Sequence, residues 1–554
     1  MSARPAPRDR FRLPSWGLPL LLGLALLSAS LNKGFWGAHG EARRAEVARE
    51  VLQDGRWLEP TLLGRPFITK PPLLYWSSAL CMRFFGVEDW AARLPALLAT
   101  LGAWLALLSL GRAYAVELRL ERSGTGPQAG EETADDAGQL AAAALVGLPL
   151  VLAMGLNAET EPLLLCCTAA AVAATLALPP RGEISRPLGP RLLPGVFLAA
   201  GFMVKGPLGW LFPLFGMLAF ELGLPRARRR LAWGDAGLIL LLQALLALPW
   251  FLLVLARDPG ALNLWLGESV ARLADADFQV HREPWWYYLP RLAVFLPPLL
   301  FLGRGAWRDR VGRIPLVWVG LGLLFLSLAA SKRTHYLLSL APAVALLPLA
   351  ADRAGAWAGR RRRLLHGLTQ ILPWLVPAAS AWLLARGLLE PTPVVLGALG
   401  LALAGIWWLR RRSAEGELRN LTLAMLLVLL TGAPTVLTAV DAYRSPRAFY
   451  LACAGSRYNQ QPVLNWRNDR YSASFYMRRA IPSARNEAEL DSLAPRGGWL
   501  LCQEQDLEPL SRPHRVVLRR DLRDPFLTAR RRVWVMAKLD AAQAARPGVA
   551  DVRP

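Results

Sequence analysis

Charged residues are scarce in this chain of 554 residues. They make up 19% of it, and hydrophobic residues make up 54%, whereas about a quarter charged is usual for a soluble domain. A single soluble domain and a disordered chain are therefore both excluded. Apolar stretches of about membrane-spanning length recur along most of the sequence, which is typical of a helical membrane protein.

Acidic residues are also few, so the chain is strongly basic. It has 64 Lys and Arg residues against 41 Asp and Glu residues, a formal net charge of +23, which in a soluble protein would suggest a nucleic-acid partner. Here the arginines gather in short loops between the apolar runs, where membrane proteins hold their cytoplasmic positive charge. We therefore expect no nucleic-acid partner.

Cysteine is rare, and its five positions show no metal-ligand spacing. Only Cys453 and Cys502 share a polar region, and a disulfide between them would require an oxidising compartment. The alternative, which we favour, is that the cysteines are small unpaired hydrophobic residues.

Thirteen apolar runs are present, and their flanking charges predict their direction. The first, 13–29, follows four arginines, which places the N-terminus in the cytoplasm. Residues 28–30 also resemble a signal-peptide cleavage site, so a removed leader is the alternative. The other twelve runs lie near residues 90–111, 138–155, 162–178, 192–204, 207–222, 236–256, 288–303, 314–330, 335–350, 365–386, 394–409 and 419–440.

Alternating these runs across a bilayer puts every dense arginine cluster on the cytoplasmic side. The runs that meet at 205–207 are counted as two spans, because one interrupted span there would invert the later clusters. An odd count leaves the polar residues 441–554 outside, where strand-like runs such as 533–537 occur. We therefore predict an all-α polytopic domain at 1–440, with about thirteen transmembrane helices and an outer interfacial loop at 32–89, and a small extracytoplasmic α/β domain at 441–554.

Charged residues in the outer loops are functional candidates, because charge at the membrane is costly. Glu41 begins an amphipathic interfacial helix, where it either stabilises the first turn or acts in a site. Lys70 precedes two prolines that restrict its backbone, and it is either a snorkelling anchor or a site for a lipid phosphate. Glu161 lies in a tight turn between two spans, where it either marks the water boundary or serves the same site.

Five motifs together resemble, in order and spacing, one family of polytopic lipid-linked glycosyltransferases. This family includes the aminoarabinose transferases of lipid A and the protein O-mannosyltransferases. The resemblance covers about residues 1–350 and is most specific in its first half. The motifs are GEARRAE at 40–46, KPPLLYW at 70–76, TEP at 160–162, KGP at 205–207 and SKRTHY at 331–336.

The resemblance implies a GT-C fold, a polyprenyl-phosphate sugar donor, and a lipid A, glycan or protein acceptor. It also implies a multi-pass protein of the bacterial inner membrane, with a periplasmic active site and C-terminal domain. Family members keep an acidic pair in the first outer loop, but Gly40 holds the first place here. Either Glu41 assumes the role of general base or activity has changed or been lost.

The resemblance also assigns expected roles to single residues. Glu41 would be the general base and Glu161 an orienting group. The donor phosphate would be bound by Lys70, Lys205, Arg333 and Tyr336. Lys205 keeps the alternative of a snorkelling residue beside a break between short spans.

The segment 275–288 mixes charge with aromatic rings. It is read either as an interfacial aromatic belt or as a mobile substrate loop that uses His281, Arg282 and Tyr288. An acid precedes the lysine in the aminoarabinose branch, whereas Thr69 stands there in this chain. We therefore expect no required cofactor or metal, and His281 and His335 leave only a weak alternative of a divalent metal.

Two other functions stay open. A transporter or flippase for a lipid-linked sugar would place its site near the midplane between repeated halves, and no repeat is evident in the sequence. An inactive scaffold of the same family is suggested by Gly40. We favour the glycosyltransferase, which we expect to act as a monomer and to use a polyprenyl-phosphate sugar donor.

Overall fold

The computed structural model describes ten segments of the chain, which hold a helical bundle and one C-terminal sheet. The described residues are 17–36, 40–122, 134–267, 283–302, 304–351, 356–412, 417–456, 459–467, 470–523 and 531–540.

In the first half of the bundle, the described residues form twelve α-helices. A two-stranded hairpin of β1 (Thr61–Leu62) and β2 (Arg65–Pro66) stands between the second and the third. The helices are α1 (Gly17–Leu31), α2 (Glu41–Asp54), α3 (Leu73–Phe85), α4 (Asp89–Arg122), α5 (Ala134–Val146), α6 (Pro149–Gly155), α7 (Thr160–Leu176), α8 (Leu188–Lys205), α9 (Leu208–Gly223), α10 (Trp233–Leu246), α11 (Leu248–Arg257) and α12 (Ala261–Leu266).

In the second half of the bundle the described helices are shorter on average, and 3₁₀ segments join some of them. A 3₁₀ segment, Thr334–Leu340, leads into the helix Ala341–Ala350. The helices are α13 (Tyr288–Arg291), α14 (Leu296–Leu299), α15 (Arg304–Arg308), α16 (Ile314–Leu328), α17 (Ala341–Ala350), α18 (Ala356–Ile371), α19 (Leu375–Ala385), α20 (Pro393–Arg410), α21 (Glu417–Gly432), α22 (Thr438–Arg444) and α23 (Arg447–Ala454).

The apolar helices make this a multi-pass membrane protein. Within the described segments, six helical stretches are long and apolar enough to cross a membrane, and α5 with α6 forms a pair bent by 69°. Five shorter apolar helices complete the set. Twelve of the thirteen predicted runs coincide with these stretches. The run 288–303 is instead broken into short helical turns, because its three prolines remove backbone donors.

Helices α8 and α9 form a tight hairpin, as the charge pattern predicted for two separate spans. The turn uses a positive φ of 60° at Gly206, which glycine adopts without strain. A Cβ added at Gly209 would overlap the carbonyl oxygen of Gly201. Two glycines therefore let the backbones approach closely, as small residues do in membrane helix pairs.

The arginine clusters that were predicted to share one side meet at one end of the bundle. Arg122 pairs with Asp309 at 2.8 Å, and Arg228 pairs with Glu117 at 2.8 Å. The guanidinium of Arg310 donates to the carbonyl of Leu222 at 2.6 Å. We call this the arginine-rich end, and it lies at the C-terminal end of α4.

The C-terminal region contains a small sheet, as predicted, and this sheet has five strands. The strands are β3 (Val463–Trp466), β4 (Ser483–Ala484), β5 (Gly498–Gln503), β6 (His514–Arg523) and β7 (Arg531–Leu539), in the order β4-β3-β5-β7-β6. Strand β3 runs parallel to β4 and β5, whereas β7 is antiparallel to β5 and β6. Helices α24 (Arg470–Tyr476) and α25 (Glu487–Leu493) lie between the strands of this sheet along the chain.

The cysteines are unpaired in the structure. Cys453 and Cys502 are both buried and free, so the alternative of a disulfide between them was wrong. Each thiol packs into an apolar cluster, which raises its pKa because burial disfavours the thiolate.

Candidate active site

Helix α2 begins at Glu41, as predicted, but the carboxylate of Glu41 bonds to other elements. Its Oε1 accepts from Arg93 Nε at 2.6 Å and from the backbone N–H of Ala158 at 3.0 Å. Its Oε2 accepts from Arg93 Nη2 and Lys33 Nζ, both at 3.2 Å. Glu41 therefore joins the segment after α1, α2, α4 and the turn before α7, and its oxygens do not cap its own helix.

The electrostatics of Glu41 favour its ionised form. Burial opposes ionisation, but the charges of Arg93 and Lys33 outweigh it and lower the pKa of Glu41 to about 2. Burial also lowers the pKa of Lys33 against the attraction of Glu41. Glu41 is thus a fixed anion that accepts four hydrogen bonds from its neighbours.

Five of the seven charged residues of α2 are buried, namely Glu41, Arg44, Glu46, Arg49 and Glu50, which differs from the interfacial helix expected from the sequence. Helix α2 packs between α3 and the C-terminal helix α24. Its charges are then satisfied internally: Glu46 accepts from Arg49 at 2.7 Å, and Glu50 accepts from Thr61 Oγ1 at 2.7 Å, which holds the β1–β2 hairpin. The C-terminal region covers the face that would otherwise meet water.

Hydrogen bonds from two tryptophan indole groups hold the loop that carries Lys70. Trp265 Nε1 donates to the carbonyl of Ile68 at 2.7 Å, and Trp250 Nε1 donates to the carbonyl of Leu58 at 3.0 Å. Pro72 is the residue directly before the first turn of α3. Lys70 is therefore held beside α11 and α12.

Glu161, Lys205 and Tyr336 form a second cluster at the same end of the bundle. Glu161 lies in the first turn of α7, and its Oε1 accepts from Lys205 Nζ at 2.8 Å. The Lys205 ammonium lies 4.5 Å from the centre of the Tyr336 ring, a cation–π contact. His335 Nε2 lies 3.6 Å from the same carboxylate oxygen.

A cavity of about 160 Å³ opens beside this cluster. Lys70, Lys205 and Tyr336 line it together with Ser331 and Thr69. Its other walls are apolar and include Leu211, Phe212, Phe251, Trp265 and Phe325. Two ammonium groups beside aromatic and aliphatic walls suit an anionic head group attached to an apolar chain.

Glu159 lies between the residues around Glu41 and the cluster that contains Glu161. Its Oε1 is 2.6 Å from Arg44 Nη1. A Cβ added at Gly40 would lie 2.9 Å from the same oxygen, so the carboxylate of Glu159 occupies the space beside Gly40. Glu159 precedes the first turn of α7, two residues before Glu161.

The remaining predicted residues lie elsewhere. Arg333 is exposed and does not line the cavity. Tyr288 is only 1% exposed, and its hydroxyl accepts from the backbone N–H of Arg333 at 3.2 Å. This hydrogen bond stabilises the turn at 333–336. Because Tyr288 is buried, it has no exposed surface with which to contact a substrate. His281 and Arg282 lie outside the described residues.

Two site residues were missed from the sequence: Lys33 and Arg93. Arg93 is fully buried, and besides Glu41 it donates to the carbonyls of Ser30 and Gly34, each at 3.0 Å. The available signal was an arginine near the start of a long apolar span, which is a functional candidate by default. Within the described segments, no group of three or more His, Cys, Asp or Glu side chains could hold a metal ion.

Comparison with known proteins gives related sequences and a related fold, although no protein-family model matches the chain. An undecaprenyl phosphate-alpha-4-amino-4-deoxy-L-arabinose arabinosyl transferase of Pseudomonas paraeruginosa is 31% identical over 434 residues, covering 76% of this chain and 70% of that protein. The Serratia proteamaculans transferase of the same name is 29% identical over 344 residues. That match covers 60% of this chain and only 58% of the relative's length.

Two solved structures share the fold. Both are crystal structures of ArnT from Cupriavidus metallidurans, one in the apo state and one bound to undecaprenyl phosphate. Their TM-scores are 0.69 and 0.67, each at 19% identity, and they cover 94% of this chain and 97% and 98% of those chains.

Proposed function

This chain belongs to the family of undecaprenyl phosphate-alpha-4-amino-4-deoxy-L-arabinose arabinosyl transferases, which are glycosyltransferases, and we propose that it moves that sugar from its lipid-phosphate carrier to an envelope acceptor. The observation that carries this proposal is the cavity, where Lys70, Lys205 and Tyr336 meet apolar walls. The resemblance assigned these three residues to the donor phosphate.

In this proposal the two lysines bind the phosphate and the apolar walls bind the first part of the polyprenyl chain. One of the Cupriavidus metallidurans structures holds undecaprenyl phosphate, which supports a lipid phosphate as the ligand of this fold. A nearby cation contributes more in a water-poor cavity than in bulk water. Lys70 and Lys205 therefore stabilise the charge that develops on the phosphate as it leaves.

The transfer inverts the anomeric carbon. An acceptor oxygen forms the new bond to that carbon, and the bond from the carbon to the phosphate oxygen breaks with its electron pair. The acceptor is lipid A, approaching from the side of α2 and the 159–161 turn. We place this side in the periplasm of the inner membrane and the arginine-rich end in the cytoplasm, because cytoplasmic loops hold the positive charge.

The test uses purified protein in vesicles with undecaprenyl phosphate-aminoarabinose and unmodified lipid A. Mass spectrometry should detect aminoarabinose on lipid A with the wild type. The Lys70→Ala variant should lose about 10- to 100-fold in rate and bind undecaprenyl phosphate more weakly, since it loses a charged contact to phosphate.

The matched control is Lys538→Ala, which removes an exposed lysine of β7 and should leave both quantities unchanged. A wild type that transfers the sugar to an added envelope glycan or protein, but gives no lipid A product, would contradict the proposed acceptor. Movement of the labelled donor across the vesicle membrane without any sugar transfer would favour the flippase. A Lys70→Ala variant with wild-type rate and affinity would contradict the phosphate site.

A further inference from the structure

Among the described residues, three carboxylates lie around the proposed site, and two of them accept protein hydrogen bonds on both oxygens. Glu41 accepts four hydrogen bonds. Glu161 accepts from Lys205 on Oε1 and from the Thr160 hydroxyl on Oε2 at 3.1 Å. A carboxylate that is held by so many donors has little remaining affinity for a proton.

Glu159 differs from both in its contacts. Arg44 pairs with its Oε1, and among the residues that the structure describes no donor reaches its Oε2. The side chain is 17% exposed, so water or a ligand can reach it. Gly40 has no side chain, and this lets Oε1 of the carboxylate lie directly against the start of α2, only 2.9 Å from where a Cβ of residue 40 would be.

The surroundings of Glu159 keep its proton affinity high. Burial raises the pKa of Glu159 against the attraction of Arg44, and the negative charges of Glu161 and Glu41 raise it further, whereas Lys70 opposes them. These are the charged groups that face it from α2, α7 and the Lys70 loop. A carboxylate with a raised pKa is a better proton acceptor near neutral pH than Glu41, whose pKa is about 2.

We propose that Glu159 is the general base of the transfer. Its carboxylate takes the proton from the acceptor oxygen while that oxygen bonds to the anomeric carbon, and the lipid phosphate leaves with the electron pair of the broken bond. This inference rests on the proposed function and gives Glu41 a positioning role. It also requires an acceptor that reacts through a protonated oxygen, either a hydroxyl or a singly ionised phosphate.

The first test is the pH dependence of single-turnover transfer in vesicles, with undecaprenyl phosphate-aminoarabinose and unmodified lipid A. The wild-type rate should fall towards acid pH as Glu159 becomes protonated. Glu159→Gln should lose about 10²- to 10⁴-fold in rate, because general bases typically contribute that much, and it should lose the acid-side fall. Its binding of undecaprenyl phosphate should stay unchanged, since Lys70 and Lys205 are intact.

The second test supplies the carboxylate of the general base from residue 40 instead of residue 159. Gly40 has φ −92°, which tolerates a side chain, and its Cβ position lies 3.5 Å from Arg44 Nη1. Glu159→Ala removes the side chain that would collide with a residue at 40. The Gly40→Asp/Glu159→Ala double variant should therefore recover at least about tenfold over Glu159→Ala alone. Glu183→Gln, an exposed acid of a loop, is the matched control and should behave as the wild type.

The outcomes separate this inference from the proposed function. A wild type that binds undecaprenyl phosphate but transfers no sugar contradicts the proposed function, and the inference falls with it. An active wild type beside a Glu159→Gln variant within about threefold of its rate overturns the inference alone. A slow variant that keeps the acid-side fall also overturns it, because the titrating group then belongs to the acceptor. A double variant as slow as Glu159→Ala would contradict a base at this position.

Discussion

At the scale of single residues, the pair of Lys205 and Glu161 combines stability with ligand binding. Both side chains are buried and meet at 2.8 Å, so Lys205→Met would leave an uncompensated carboxylate and cost about 3–5 kcal/mol. The Glu161→Gln/Lys205→Met double variant should recover much of that loss. It should still bind undecaprenyl phosphate weakly, because the cation is missing.

Thermal unfolding and lipid binding of the two single variants and the double variant check this prediction. If Lys205 only anchored its helix, the double variant would regain both stability and donor binding. That result would revive the snorkelling interpretation made from the sequence.

Three of the four residues that the sequence assigned to the donor phosphate line one cavity, whereas the partners of Glu41 were not predicted. Lys70, Lys205 and Tyr336 stand in short motifs, which can be recognised from neighbouring residues without knowledge of the fold. Arg93 lies 52 positions after Glu41, and no local pattern links the two. Only the packing of α2 against α4 brings them together, so the pairing could not be predicted without the fold.

At the scale of elements, the α8–α9 hairpin depends on the absence of side chains at its crossing. Gly209→Ala should destabilise the protein by about 1–3 kcal/mol, because the added methyl meets backbone that cannot rotate away. Donor binding should weaken as well, since Lys205, Gly206 and Leu208 all line the cavity. Thermal unfolding and binding of undecaprenyl phosphate measure the two effects.

Gly237→Ala is the matched control, because a Cβ at Gly237 in α10 would contact nothing within 4 Å. It should leave binding unchanged and stabilise the helix by about 0.4–1 kcal/mol. Equal effects of the two substitutions would show that the hairpin has room for a side chain.

The length of the apolar runs predicted where the helices lie, but it did not predict where a run is broken. The run 288–303 has the composition of a span, yet Pro290, Pro297 and Pro298 divide it. The amphipathic pattern of α2 predicted its helix correctly, but not its burial. The covering surface comes from α24, more than 400 residues later in the chain, and no local pattern links the two segments.

At the scale of the whole molecule, the C-terminal region holds the loop that carries Lys33. The Tyr476 hydroxyl donates to Asp89 at 2.9 Å and accepts from the backbone N–H of Phe35 at 3.1 Å. The Phe35 ring packs against Phe475 at 5.0 Å between centroids. Since Lys33 and Arg93 both bind Glu41, the C-terminal region and α2 are mechanically connected through this loop.

Tyr476→Phe removes that hydroxyl while keeping the ring, so it should loosen residues 33–36 without disturbing the cavity. We expect faster amide hydrogen exchange at 33–36 and a rate of transfer lowered by about tenfold, since one hydroxyl with two partners contributes about 1–2 kcal/mol. Binding of undecaprenyl phosphate should stay unchanged.

Tyr114→Phe is the matched control. It deletes a buried hydroxyl at the arginine-rich end, where that hydroxyl donates to the carbonyl of Val311 at 3.1 Å. It should leave exchange at 33–36 and the rate as in the wild type. If both variants slowed transfer equally, the effect would be a general loss of stability, and the C-terminal region would have no specific hold on the site.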